Sequence, residues 1–203
     1  MEHKSSNKHE QRSRATREAL LSAARALFAE RGYGAVGTEE IVRAAGVTRG
    51  ALYHQFRDKE QLFEAVFEQV EAEVTQRIAE SALAGATDPL AALHAGAHAF
   101  LAVCAEPEVE RIALLDAPAV LGWQRWREIG FAYGLGLVAA TLQAGIEAGV
   151  IVDQPVTPLA HLLLGALDEG ALYVARAEDR AVARAETGAI IDRLIDGLAP
   201  SAA

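Results

Sequence analysis

One cysteine, Cys104, is all the sequence holds, which excludes an internal disulfide and any zinc site built from several thiolates. A secretory leader is also missing from the reading, because Met1 to Arg14 is polar and charged with no apolar run. No uninterrupted stretch of about 18 apolar residues occurs. The longest candidate, Phe131 to Val150, is broken by Gln143 and Glu147. These absences point to a chain of the reducing cytoplasm with no membrane span. Strand-period alternation is lacking too, since Val and Ile are scattered rather than grouped. Neither a Gly-x-Ser-x-Gly elbow nor a phosphate-binding Gly-Lys loop is found, so no enzyme activity and no cofactor are expected.

What is present is abundant alanine, a strong helix former, within a hydrophobic share of 51% over 203 residues. That length suits a small domain attached to a larger one. The net charge of -9 divides unevenly. Residues 1–60 carry eleven Lys and Arg against eight Asp and Glu, a net of +3, whereas residues 61–203 carry eight against twenty, a net of -12. A basic end on an acidic body suggests a phosphate-facing module on a body that repels nucleic acid.

Residues 1–13, low in apolar content, read as a flexible tail. A helix follows from about Arg14 to Arg31, with Leu20, Ala23, Ala24, Leu27 and Phe28 on one face and Gly32 at its end. Thr38 is the expected cap of a second helix, which Gly46 breaks. Thr48 caps a third, to about Phe56. Asp58, with Gln61 three residues on, caps a fourth, whose stripe runs Leu62, Phe63, Val66, Phe67, Val70, Val74, Ile78. Asp88-Pro89 opens a fifth to about Cys104, and Glu106-Pro107 a short sixth. A long stretch after Pro118 reaches about Ala148, with breaks expected near Gly130 and Gly134. Val156-Thr157-Pro158 opens the next helix, and Asp179 caps the last. The reading is all-α.

The second and third helices carry the functional signal. Ile41, Val42, Ala45, Val47, Leu52 and Phe56 can form a small shared core, and Gly46 permits a tight turn. Thr48, Arg49, Gly50, Ala51, Tyr53 and His54 then face outward, as in a helix-turn-helix whose second helix enters a major groove. The Ile41–Gly46 turn, the run Val47-Thr-Arg-Gly-Ala-Leu-Tyr-His-Gln-Phe56 and the following Asp58-Lys59-Glu60 resemble the DNA-binding domain of the TetR family of transcriptional regulators. Val42 departs from the pattern, where Ala is more usual.

The resemblance spans residues 14–60 and implies an N-terminal three-helix DNA-binding domain, with residues 61–203 forming a larger helical ligand-binding and dimerisation domain. It implies that Thr38 meets a phosphate, that Arg49 reaches a guanine edge with a bidentate pair, and that Thr48 contacts a base edge or a phosphate. Gly50 and Ala51 would allow close approach, and Tyr53, His54 and Lys59 would contact phosphates. The expected partners are a double-stranded DNA operator, a small-molecule effector of unknown identity and a second copy of the chain. Lys4, Lys8, Arg12, Arg14 and Arg17 read equally as a basic arm on DNA or as a solvated tail.

Other signals are weaker. His94 and His98 lie one turn apart, as metal ligands can, but no third ligand is near in sequence; hydrogen-bonded histidines are the better reading, and no metal is expected. Gly134-Leu-Gly136-Leu-Val-Ala139 lacks a preceding strand and reads as close helix packing rather than a dinucleotide loop. Trp123, Trp126, Phe131 and Tyr133 form the densest aromatic cluster, equally a ligand cavity or a filled core, with Phe67, His98 and Phe100 as further lining candidates. Leu159, Leu162, Leu163, Ala166, Leu167 and Gly170, with Ile190, Ile191, Leu194 and Ile195, give the last two helices broad apolar faces. The resemblance makes these a four-helix dimer interface. The leading expectation is a ligand-released repressor; a ligand-independent architectural DNA binder and an enzyme using the helical domain are the alternatives.

Overall fold

The computed structural model describes residues 2–200, with side chains from Glu10 onward. Among the described residues all regular structure is helical. The first helix, α1, spans Glu2–Arg31. It includes the segment expected to be a flexible tail. Its Glu, Lys, Gln and Arg residues are good helix formers, and neither Gly nor Pro occurs before Gly32. Low apolar content bears on burial, not on helix formation. Gly32, at φ +78, stops the helix.

Helices α2 (Thr38–Ala44) and α3 (Arg49–Gln55) follow. Gly37, not Thr38, occupies the cap position of α2, and Thr38 is already helical. Between them Gly46, at φ +65, makes the turn, and Val47 N–H donates to the Val42 carbonyl at 3.0 Å. The expected cap of α3 is formed: Thr48 Oγ1 accepts the Ala51 N–H at 3.2 Å. At α4 (Lys59–Leu83), Asp58 accepts from Gln61 N–H at 2.8 Å, while Gln61 reaches back to Arg57 N–H at 2.7 Å.

Asp88 caps α5 (Pro89–Cys104), and α6 is a single turn, Pro107–Val109. A wider π-helical stretch, Glu110–Asp116, leads into α7 (Ala117–Glu147). The break in α7 falls at Gly122 (φ 78, ψ 156), whereas Gly130 and Gly134 continue helically. By length and composition alone Pro107–Glu147 could cross a membrane. Only 17% of its most apolar window is buried, and α7 packs against α4, α5 and α8. The chain ends in α8 (Val156–Arg176) and α9 (Arg180–Asp196), the latter capped by Asp179.

Two apolar cores result. The first joins Leu20, Phe28, Ile41, Leu52 and Phe63 of the N-terminal helices to Val109, Ile112, Trp126 and Ile129 of the body. The second gathers Leu93, Leu142, Leu163, Ile191 and Ile195 at the far end. Helix α4 runs across residue 60 and ties the two regions together: Phe63 packs edge-on to Phe28 and Tyr33, while Val74 and Ile78 face a cavity in the body.

Candidate DNA-binding surface and effector cavity

Leu52 is fully buried and pins α3 to the N-terminal core. Helical spacing then forces Thr48, Arg49, Gly50, Tyr53 and His54 to the exposed side, with Ala51 half-buried at the margin. The Gly50 Cβ position meets only its own cap residue, Thr48, at 4.0 Å, so this surface lets another molecule approach the backbone closely. Arg49 sits 3.5 Å from Glu39 and 5.7 Å from the Tyr53 ring centre. Both members of the ion pair are largely exposed, so the pair holds Arg49 weakly and leaves it free to change partners. Thr38 is half-buried at the first turn of α2.

Lys59, expected at a phosphate, is engaged within the protein here. Its Nζ donates to the Tyr33 carbonyl at 3.0 Å and the Val36 carbonyl at 2.9 Å, and lies 3.8 Å from the Tyr33 ring centre. Burial lowers its pKa. It clamps the loop between α1 and α2 rather than standing free in solvent. Arg17 stacks over Phe56 at 4.4 Å, and Arg14 pairs with Glu18 at 3.1 Å. The side chains of Lys4 and Lys8 lie outside the described residues.

The π-helical stretch meets this module directly. Asp116 Oδ2 accepts the Tyr33 N–H at 2.7 Å. Just before that stretch, Glu108 pairs with Arg25 of α1 at 2.7 Å, and Glu73 of α4 takes the same guanidinium at 2.6 Å.

On its other side the same stretch walls a cavity of about 80 Å³. Ala113 and Leu114 line it, and the Trp126 indole N–H donates to the Ala113 carbonyl at 2.8 Å. Phe100 and Trp126 are the two expected lining residues that reach it. Phe67 is fully buried in the first core. Trp123 is turned outward and 51% exposed, its ring centre 4.7 Å from that of Trp126. Phe131 packs edge-on to His161, and Tyr133 packs half-buried against the first core. His98 points to Asp192 (2.9 Å), which also takes His94 Nδ1 at 2.9 Å, while Asp196 takes His94 Nε2. Among the described residues no group of three or more His, Cys, Asp or Glu is placed to hold a metal ion.

The cavity also holds polar groups that the aromatic signal did not reveal: Glu71, Thr75, Arg127, Thr141 and Asp168. Two of them were legible in principle. Glu71 interrupts the apolar stripe of α4 one turn after Phe67, and Asp168 interrupts that of α8 one turn after Leu164. Burial, aided by the Asp168 charge, pushes the Glu71 carboxyl up to about 7; burial also raises Asp168 to about 6, against the opposing pull of Arg127.

On α8 and α9 the expected interface residues divide. Leu162, Ile190 and Leu194 are exposed, at 73%, 51% and 52%, and Tyr173 and Val182 are exposed as well. Leu163, Leu167, Ile191 and Ile195 are buried within the subunit, and Leu159 and Ala166 pack partly against the second core. Gly170 is pressed onto Thr187, where a Cβ would stand 2.8 Å from the threonine methyl, so α8 and α9 cross tightly.

Comparison with known sequences settles the relationship. Residues 90–198 match the profile described as "Tetracyclin repressor-like, C-terminal domain", and residues 20–66 match "Bacterial regulatory proteins, tetR family". The chain belongs to the TetR family. A solved TetR-family transcriptional regulator from Pectobacterium atrosepticum is 33% identical, with a TM-score of 0.83 over 95% of this chain and 98% of that one. The transposon Tn10 TetC protein of Escherichia coli is 28% identical over 78% of this chain and 80% of its own length. The transcriptional regulator AcrR of Shigella flexneri is 37% identical over 42% of this chain and 40% of its own. Like other TetR-family members, the protein is a DNA-binding, ligand-responsive transcriptional regulator.

Proposed function

We propose that this TetR-family protein is a cytoplasmic homodimeric repressor that binds an inverted-repeat operator and leaves it when a small molecule fills the cavity. No catalytic step, cofactor or membrane partner belongs to this reading. The observation that carries it is the position of Glu110–Asp116, which forms cavity wall through Ala113 and Leu114 and holds the α1–α2 loop through Asp116. A ligand that moves this stretch moves the module bearing α3.

Two copies of α3 in a symmetric dimer would enter successive major grooves about 34 Å apart. Thr48, Arg49, Gly50 and Ala51 would face the bases; Thr38, Tyr53 and His54 would meet phosphates. Lys59 acts beneath them, fixing the loop that leads to Thr38. The exposed Leu162, Tyr173, Val182, Ile190 and Leu194 supply the apolar surface for the partner, over the buried Leu163, Leu167, Ile191 and Ile195. A ligand that favours a wider spacing of the two α3 helices would lower DNA affinity by population shift.

The test is selection of bound fragments from random DNA, then fluorescence anisotropy on the best sequence with a small-molecule panel. Selected sites with two-fold symmetry, and compounds that release them while quenching Trp126, support the reading. Enrichment of no sequence, or release by no compound that binds the cavity, would contradict it.

A further inference from the structure

The charge inside the cavity is not balanced. Arg127 lies 3.9 Å from Asp168, and its guanidinium also covers the Phe131 ring at 4.5 Å. Asp168 therefore has a cation and Arg127 has an anion. Glu71 has neither: among the described residues no hydrogen bond or ion pair engages it, and the charged neighbour that acts on it is Asp168, of like sign. Glu71 is half-buried and stands at the cavity wall, with one oxygen 4.0 Å from the Cβ position of Gly130. The groups around it from the other packed helices are Arg127 and Tyr133 on α7, Asp168 on α8 and Cys104 on α5. The remaining walls are largely apolar, among them Phe100, Leu137 and Trp126. A carboxylate in such surroundings is costly unless a cation meets it.

Resting on the reading of this cavity as the effector site, we propose that its ligand is an apolar organic cation, such as an amine or quaternary ammonium compound, whose charge is met by Glu71. Asp168 adds to the negative field, with Arg127 at 3.9 Å as its partial counter-charge. Trp126 and Phe100 take the apolar body, and their aromatic faces favour a neighbouring cation. At neutral pH the empty site shares a proton on Glu71. A permanent cation displaces that proton, so binding releases protons and strengthens as pH rises through about 7.

Three compact probes of similar size separate the possibilities on the full-length protein: tetramethylammonium, its uncharged carbon isostere neopentane, and the anion pivalate. Calorimetry and tryptophan fluorescence report affinity, and a pH indicator in weakly buffered solution reports protons released. The cation should bind at least about tenfold more tightly than the isostere. It should release protons at pH 7. Glu71→Gln should abolish the preference and the proton release while leaving the isostere's affinity unchanged. Glu71→Met, of similar size and apolar, should do the same. Equal or tighter binding of the isostere or the anion would leave the cavity an effector site and overturn the cation assignment alone. A cation preference that survives both variants would overturn it too. No binding of any probe up to its solubility limit would overturn both the assignment and the effector-site reading.

Discussion

The carboxylate of Asp116 accepts the backbone N–H of Tyr33 at 2.7 Å, across the seam between the helical body and the DNA-binding module. One residue sits at the end of the π-helical stretch that walls the cavity; the other sits in the loop that leads to α2. Asp116→Ala leaves a partly buried N–H without its partner and should cost about 1–3 kcal/mol of stability in urea unfolding. The more telling result concerns coupling. An effector should still bind the variant, but should release DNA less completely, measured as the ratio of operator affinities with and without ligand.

Arg49 and Lys59 should behave differently. Arg49→Ala should cost about 1–3 kcal/mol of operator affinity and relax the preference at one base pair per half-site. Anisotropy on single-base operator variants checks this; an equal loss on every variant would make Arg49 a phosphate contact. Lys59→Ala removes two hydrogen bonds and a cation–π contact, and should lower unfolding stability by about 1–3 kcal/mol before any effect on salt dependence is considered. Unchanged stability with a shallower salt slope would show that Lys59 leaves its carbonyls for a phosphate.

The two outward leucines test association. Leu162→Glu and Leu194→Glu place charge on exposed apolar surface and should shift a sedimenting dimer to a folded monomer. Leu163→Ala lies beneath that surface and should instead cost roughly 2–5 kcal/mol of stability. A monomeric unmodified protein at micromolar concentration would remove the dimer from the account.

Glu71 gives a pH signature opposite to that of a salt-bridged carboxylate. Its folded pKa is raised to about 7, so between the unfolded value near 4.5 and about 7 the folded state holds more protons than the unfolded one. Stability from this group therefore falls as pH rises through that window and levels off above it. Glu71→Gln should be more stable than the unmodified protein at pH 8, by on the order of 3 kcal/mol. The advantage should shrink towards pH 5. Urea midpoints at pH 5, 6, 7 and 8 measure it, and a constant difference across the series would contradict the assignment.

The DNA-binding module was legible in the sequence because its determinants are local. Gly46 sets the turn, Thr48 caps α3, and Leu52 and Phe56 fix which face is buried, all within a short run of the chain. The helix order of the body was legible for the same reason, through Asp58, Asp88-Pro89 and Asp179. The cavity was not. Trp123 and Trp126 are three residues apart on a helix that Gly122 has just broken, and only the packing of α4, α5 and α8 around it decides that one turns in and the other out. Lys59 shows a different limit: its charge is plain in the sequence, but the two carbonyls that accept its hydrogen bonds are not. Low apolar content in residues 1–13 speaks to burial, not to helix, and α1 runs through most of that segment.

On this reading α3 of each subunit enters a major groove under the control of the cavity. Hydroxyl-radical footprinting of the selected operator, with and without a cavity ligand, tests it most directly. Two protected zones should appear about one helical turn apart, about 34 Å. A protein with Ala at positions 49, 53 and 54 should lose them, and ligand at saturating concentration should erase both together. One protected zone, protection that survives those three substitutions, or a footprint indifferent to a ligand that fills the cavity would contradict it.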